Sequence, residues 1–137
     1  MFAKIMLPVD LAHADGLGKS IDMATEIAKS HGASLTLVGV TGTGPSSVAS
    51  TPQAYAEKLN GFATDLAGKS GVSVAAKSIQ DNDVTADLGG VLVDTANDMD
   101  ADLIVMASHV PGMLEHVFAS NAGYVAAHAK CSVAVVR

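Results

Sequence analysis

Several things this sequence lacks narrow its reading. It has one cysteine, Cys131, so no disulfide can form within the chain. With no second thiol or clustered ligand near it, Cys131 is a poor metal site and is expected to be a small buried hydrophobe. Charge is sparse and leans acidic: 8 Lys and Arg against 14 Asp and Glu, a net −6, with no basic cluster. Nucleic acid is therefore not an expected partner. No apolar run approaches the ~20 residues a membrane span needs. Hydrophobic residues nevertheless make up 49%, which suits a folded, soluble chain. The start, Met1-Phe2-Ala3-Lys4, runs straight into a strand-like segment stopped by Pro8 and Asp10, without the long apolar region and cleavage site of a secretion signal. A cytoplasmic location is expected. A length of 137 residues suits one domain, residues 1–137, with a sizeable core.

The pattern that is present alternates strands and helices. Ile5, Met6, Leu7 and Val9 form a first strand with Asp10 at its carboxyl tip. A helix over 15–31 carries a stripe of Leu17, Ile21, Ala24 and Ala28 and stops at Gly32. His13 and His31 read as solvated or capping histidines. Leu35 to Val40 is a second strand, followed by a crossover whose Gly42-x-Gly44 lacks the lysine of a phosphate-binding Walker loop. A second helix, 52–70, presents Tyr55, Leu59, Phe62 and Leu66, and Val72 to Ile79 is an edge strand guarded by Lys77. A third helix, 85–98, buries Leu88, Val91, Leu92, Thr95 and Met99. Asp94, Asp98, Asp100 and Asp102 lack calcium-loop spacing and read as a solvated acidic face, so no metal site is expected. Asp10 has two readings: a turn or cap residue, or a ligand carboxylate.

The last third concentrates the chemistry. Ala101 to Met106 is a continuous apolar run, as in a parallel strand covered on both faces, and ends at Ala107-Ser108-His109. A loop, 110–115, leads to a helix with Phe118, Ala122, Val125 and Ala129 on one stripe, and Ser120 lies near its start. Ser120 is read both as an ordinary N-cap and as part of an anion site, because free N–H groups at a helix start facing a strand end attract phosphate. Ser132 to Val136 is a final β-branched strand. Five strands joined by helices imply a parallel α/β sheet with helices on both faces.

The segments Asp102 to His109, Ser120-Asn121-Ala122 and His128 to Arg137, with Lys4 to Asp10 at the amino end, resemble the universal stress protein family over nearly the whole chain. The resemblance implies a Rossmann-like open sandwich of strand order 3-2-1-4-5, in which Asp10 and Ala107-Ser108-His109 converge at the switch point. It also implies a nucleotide, ATP or AMP, with Mg²⁺ accompanying ATP. Asp10 and the Val40 backbone would lie near ribose and adenine, and Ala107, His109, Ser120 and Asn121 near phosphates. Pro8, Val9, Met106, Ser108, Val110, Ala119 and Ala122 complete the candidate site. Members that bind ATP carry Gly-x-x-Gly and a later Gly-Ser or Gly-Thr. Here Ala107 and Val110 stand at the first two glycine positions and Ala119-Ser120 at the last pair, with the intervening segment one residue shorter. A branch with Ala-Ser-His, then arginine, and later Gly-Ser-Asn-Ala is more similar, though Val110 replaces that arginine and Ala119 that glycine.

Two functions follow: a nucleotide-binding stress or regulatory module, and a dimeric stress protein acting through protein contacts without nucleotide. No paired carboxylates, nucleophile–base pair or arginine finger points to catalysis. The apolar edge Ser132 to Val136 predicts a homodimer paired through that strand.

Overall fold

The structure, a computed structural model, describes residues 1–108 and 117–137, with side chains from residue 121 onward in the second stretch. The elements follow as β1 (Lys4–Pro8), a 3-10 helix (Leu11–Leu17), α1 (Gly18–His31), β2 (Ser34–Thr41), α2 (Pro52–Ser70), β3 (Val74–Gln80), α3 (Val84–Asp98), β4 (Leu103–Ala107), α4 (Val117–His128) and β5 (Ser132–Val136). The strands form one parallel sheet in the order β3-β2-β1-β4-β5, the Rossmann-like order that the resemblance implies.

The uninterrupted apolar runs became the middle of this sheet. Ile5, Met6 and Leu7 of β1 and Ile104, Val105 and Met106 of β4 are fully buried. Both faces of these strands are covered by helices, which removes any reason for polar alternation. The edges read differently: β3 alternates with Lys77 exposed, and Val135 of β5 keeps 43% of its surface in solvent. On β2, Val38 and Val40 face α3 while Gly39 between them faces Tyr55 of α2, so the two helices lie on opposite faces. Gly39 is glycine because a Cβ there would sit 2.4 Å from the Tyr55 hydroxyl oxygen. Gly89 has a similar reason. Its Cβ would stand 2.7 Å from the Tyr124 ring, so the costly glycine in α3 lets α4 pack close.

Local signals close the helices, and Gly32 is the stop expected for the first of them. Gly32 and Gly71 take left-handed φ of 64° and 75° after α1 and α2, and Thr51 and Asp83 cap α2 and α3 by accepting from Ala54 and Ala86 N–H. No described helix is long and apolar enough to cross a membrane.

Four expectations need correction. The helix expected from residue 15 is a 3-10 segment from Leu11 to Leu17, becoming α-helical only at Gly18, because Asp10 caps the turn earlier. Of the expected α3 stripe, Val91 and Met99 are only partly buried, and Val93 and Ala96 are buried instead. Asp102 does not belong to a solvated acidic face. Its carboxylate accepts from the backbone N–H groups of Ala3 (2.8 Å) and Lys4 (3.1 Å), fastening the start of β1 to β4. Cys131 is half-buried rather than interior, and its partial burial is the main cause raising its thiol pKa above the ordinary value.

Candidate functional site

The β1–β4 ladder ends early, and this opens the sheet at its carboxyl edge. β1 pairs with β2 along all of Lys4–Pro8 but with β4 only at Ile5 and Met6. Val9 N–H donates to Val38 O (2.9 Å), so by alternation the preceding residue would donate toward β4. That residue is Pro8, which has no N–H. A proline in a central strand is thus accommodated at the point where the ladder stops. A parallel sheet offers its ligand crevice at this switch point, beyond the strand ends.

A cavity of about 110 Å³ lies there. Its floor is Pro8, Val9, Val38 and Val40, its roof Val84, Leu88 and Leu92 of α3, and its polar group is Asp10. Drug-sized ligands occupy roughly 300–1,000 Å³, so this apolar slot suits one flat ring, with the rest of a ligand outside.

Asp10 sits at the mouth in an extended conformation, φ −94° and ψ 104°. Its Oδ1 accepts from Ala12 N–H at 3.0 Å and its Oδ2 lies 3.0 Å from His13 Nδ1. His13 leaves helical geometry (φ −131°, ψ 30°), and its own N–H donates to the Asp10 carbonyl at 3.0 Å. The cap reading of Asp10 is therefore realised, while the carboxylate remains partly exposed. Tyr55 lies within the field of Asp10 from the other face of β2. Burial first, and the Asp10 charge second, push its phenol up to about 12. Among the described residues, no group of three or more His, Cys, Asp or Glu could hold a metal.

The model of the universal stress protein family matches residues 1–137. The chain belongs to this family. Solved structures share its fold across almost the whole length. The universal stress protein UspA from Lactobacillus plantarum is 23% identical, with TM-score 0.73 and coverage of 99% of this chain and 98% of that one. The Archaeoglobus fulgidus universal stress protein in complex with dAMP is 20% identical, with TM-score 0.71 and coverage of 99% and 98%. A family member from Arabidopsis thaliana with AMP bound is 15% identical, with TM-score 0.64 and coverage of 98% and 90%.

Within this universal stress protein fold the candidate residues divide. Pro8, Val9, Asp10 and Val40 meet at the cavity. Met106 is fully buried in β4, and Ala107 is buried beside β5, where Ser108 donates from N (2.8 Å) and Oγ (3.3 Å) to Val136 O. Asn121 turns to Gly89 and lines a separate groove between α3 and α4, and Ala122 is buried in the core. His109, Val110 and the loop 110–115 lie outside the described residues, as do the side chains of Ala119 and Ser120, whose backbone belongs to the first turn of α4. Sequence reasoning missed Val38 and Val84 as lining residues, took Leu88 and Leu92 for plain core, and overlooked His13 as the partner of Asp10. The signal for the last was a histidine three residues after a capping aspartate, within reach of one tight turn.

Proposed function

We propose that this universal stress protein binds an adenine nucleotide, AMP or ATP, in a regulatory rather than catalytic role. The observation that carries the reading is the cavity itself: an apolar slot of ring size between Val40 and α3, with one partly exposed carboxylate among the described residues, Asp10, at its mouth. A purine would enter the slot, the ribose hydroxyls would donate to Asp10, and phosphates would extend toward Ala107, Ser108 and the start of α4, where backbone N–H groups and the helix dipole favour anions. ATP would bring Mg²⁺ with it. Structures of the same fold that hold AMP and dAMP support this reading. The chain would act in the cytoplasm as a homodimer paired through β5.

Calorimetric titration with AMP and ATP tests it. Asp10→Ala should weaken binding by about 1–2 kcal/mol, the scale of a hydrogen bond to a charged group, with native circular dichroism retained. Equal affinity in the variant would return Asp10 to a turn role. Absence of binding by the unaltered protein would shift the function to protein contacts, in keeping with Ala107, Val110 and Ala119 at the family's glycine positions.

A further inference from the structure

We propose that His13 is a positioning residue that presets Asp10 for a ribose bearing both vicinal hydroxyls, so that the site selects ribonucleotides over 2′-deoxyribonucleotides. The inference rests on the nucleotide reading above and adds a ligand class and a residue to it.

The argument begins with the carboxylate's capacity. An ionised aspartate only accepts hydrogen bonds and offers about four lone-pair positions. Among the described residues, two N–H groups use that capacity: Ala12 N–H on Oδ1 and His13 Nδ1 on Oδ2, each at 3.0 Å. Because the carboxylate only accepts, Nδ1 must carry the hydrogen. Two acceptor positions then remain, which equals the number of donors on a vicinal diol. Tyr55 does not compete for them, since among the described residues its hydroxyl forms no hydrogen bond to Asp10.

Geometry makes the arrangement specific to His13. The Ala12 bond alone leaves the carboxylate one fixed oxygen, about which the other can swing. The His13 bond fixes the second oxygen, and His13 itself is held by its N–H bond to the Asp10 carbonyl and by a backbone that departs from the surrounding helix. A carboxylate held at both oxygens loses less freedom when ligand arrives, and that advantage is largest for a ligand engaging both remaining positions. A 2′-deoxy sugar engages only one. The pair is accessible, with the His13 and Asp10 side chains 41% and 29% exposed, so a sugar at the cavity mouth can reach it.

The test is calorimetric titration of AMP and 2′-deoxy-AMP into the unaltered protein, His13→Ala and His13→Asn. The unaltered protein should prefer AMP by about tenfold, the equivalent of one hydrogen bond to a charged group. In His13→Ala, AMP affinity should fall more than 2′-deoxy-AMP affinity, bringing the ratio toward parity. His13→Asn, whose amide nitrogen takes the place of Nδ1, should restore the preference. Should His13→Ala fail to fold, His13→Leu keeps bulk without a donor and carries the same expectation. A His13→Ala protein with an unchanged AMP preference, even if its Tm falls, overturns the inference by reducing His13 to a structural role. Equal binding of the two nucleotides by the unaltered protein overturns it while leaving the nucleotide reading intact. Binding of neither refutes the nucleotide reading and the inference with it.

Discussion

Replacing Gly39 by alanine tests the packing that separates the two faces of β2. The new Cβ would lie 2.4 Å from the Tyr55 hydroxyl oxygen, 3.0 Å from Tyr55 Cε1 and 3.1 Å from Leu59 Cδ2. Favourable carbon contacts lie near 3.5–4.0 Å, so the hydroxyl must retreat by roughly 1 Å and the other two atoms by about half as much. Tyr55 and Leu59 are 4% and 0% exposed and have little room to move. Overpacking of this kind costs about 1–3 kcal/mol, and the reduced freedom of the unfolded chain offsets about 0.4–1 kcal/mol of it. Gly39→Ala should therefore lower stability by about 1–2 kcal/mol in urea unfolding, with an unchanged denaturant slope. Tyr55→Phe removes the worst contact but leaves the two milder ones, so Gly39→Ala made in that background should cost about 1 kcal/mol less. Equal losses in both backgrounds, or a neutral Gly39→Ala, would refute the argument.

Further expectations follow from the same structure. Tyr55 holds its proton up to about pH 12 when folded, against 10.0 for an ordinary tyrosine. The native state keeps a proton that the unfolded chain gives up, so this contribution is full below pH 10 and is lost between pH 10 and 12. The loss is on the order of 2–3 kcal/mol, and unfolding measured across that range should show a shallower decline in Tyr55→Phe. Asp102→Ala removes both acceptors that hold Ala3 and Lys4 and should cost about 1–2 kcal/mol, with Asp102→Asn, which keeps one oxygen, intermediate in urea unfolding. A homodimer paired through β5 should appear as a doubled mass in light scattering at micromolar concentration, and Val135→Lys, which places a charge on that edge, should shift it toward monomer.

Much of the fold could be read in the sequence because its signals are local. The continuous apolar run of Leu103 to Met106 identifies a central strand, the 3.6-residue stripes of Leu17, Ala24 and Ala28 or of Tyr55 and Leu59 mark helix faces, and Gly32 marks a stop. Each depends on neighbours within a turn or two of chain. Asp10 at the tip of the first strand was legible for the same reason, and it does line the cavity. The strand order came from the resemblance rather than from periodicity, since parallel neighbours share no local code.

What only the tertiary structure decided involves residues far apart or competing for one role. Asp102 meets Lys4 across 98 positions, and no spacing rule separates it from the solvated Asp94 and Asp98. Val84, Leu88 and Leu92 carry the helical spacing of ordinary core residues and become cavity walls only because α3 lies over Val38 and Val40. Asn121 turns toward Gly89 because the missing Cβ lets the two helices approach, a fact of their mutual packing rather than of either segment. Sequence determines which segments are apolar on which face. The long-range pairing of those faces determines which of their residues border a space that a ligand can enter.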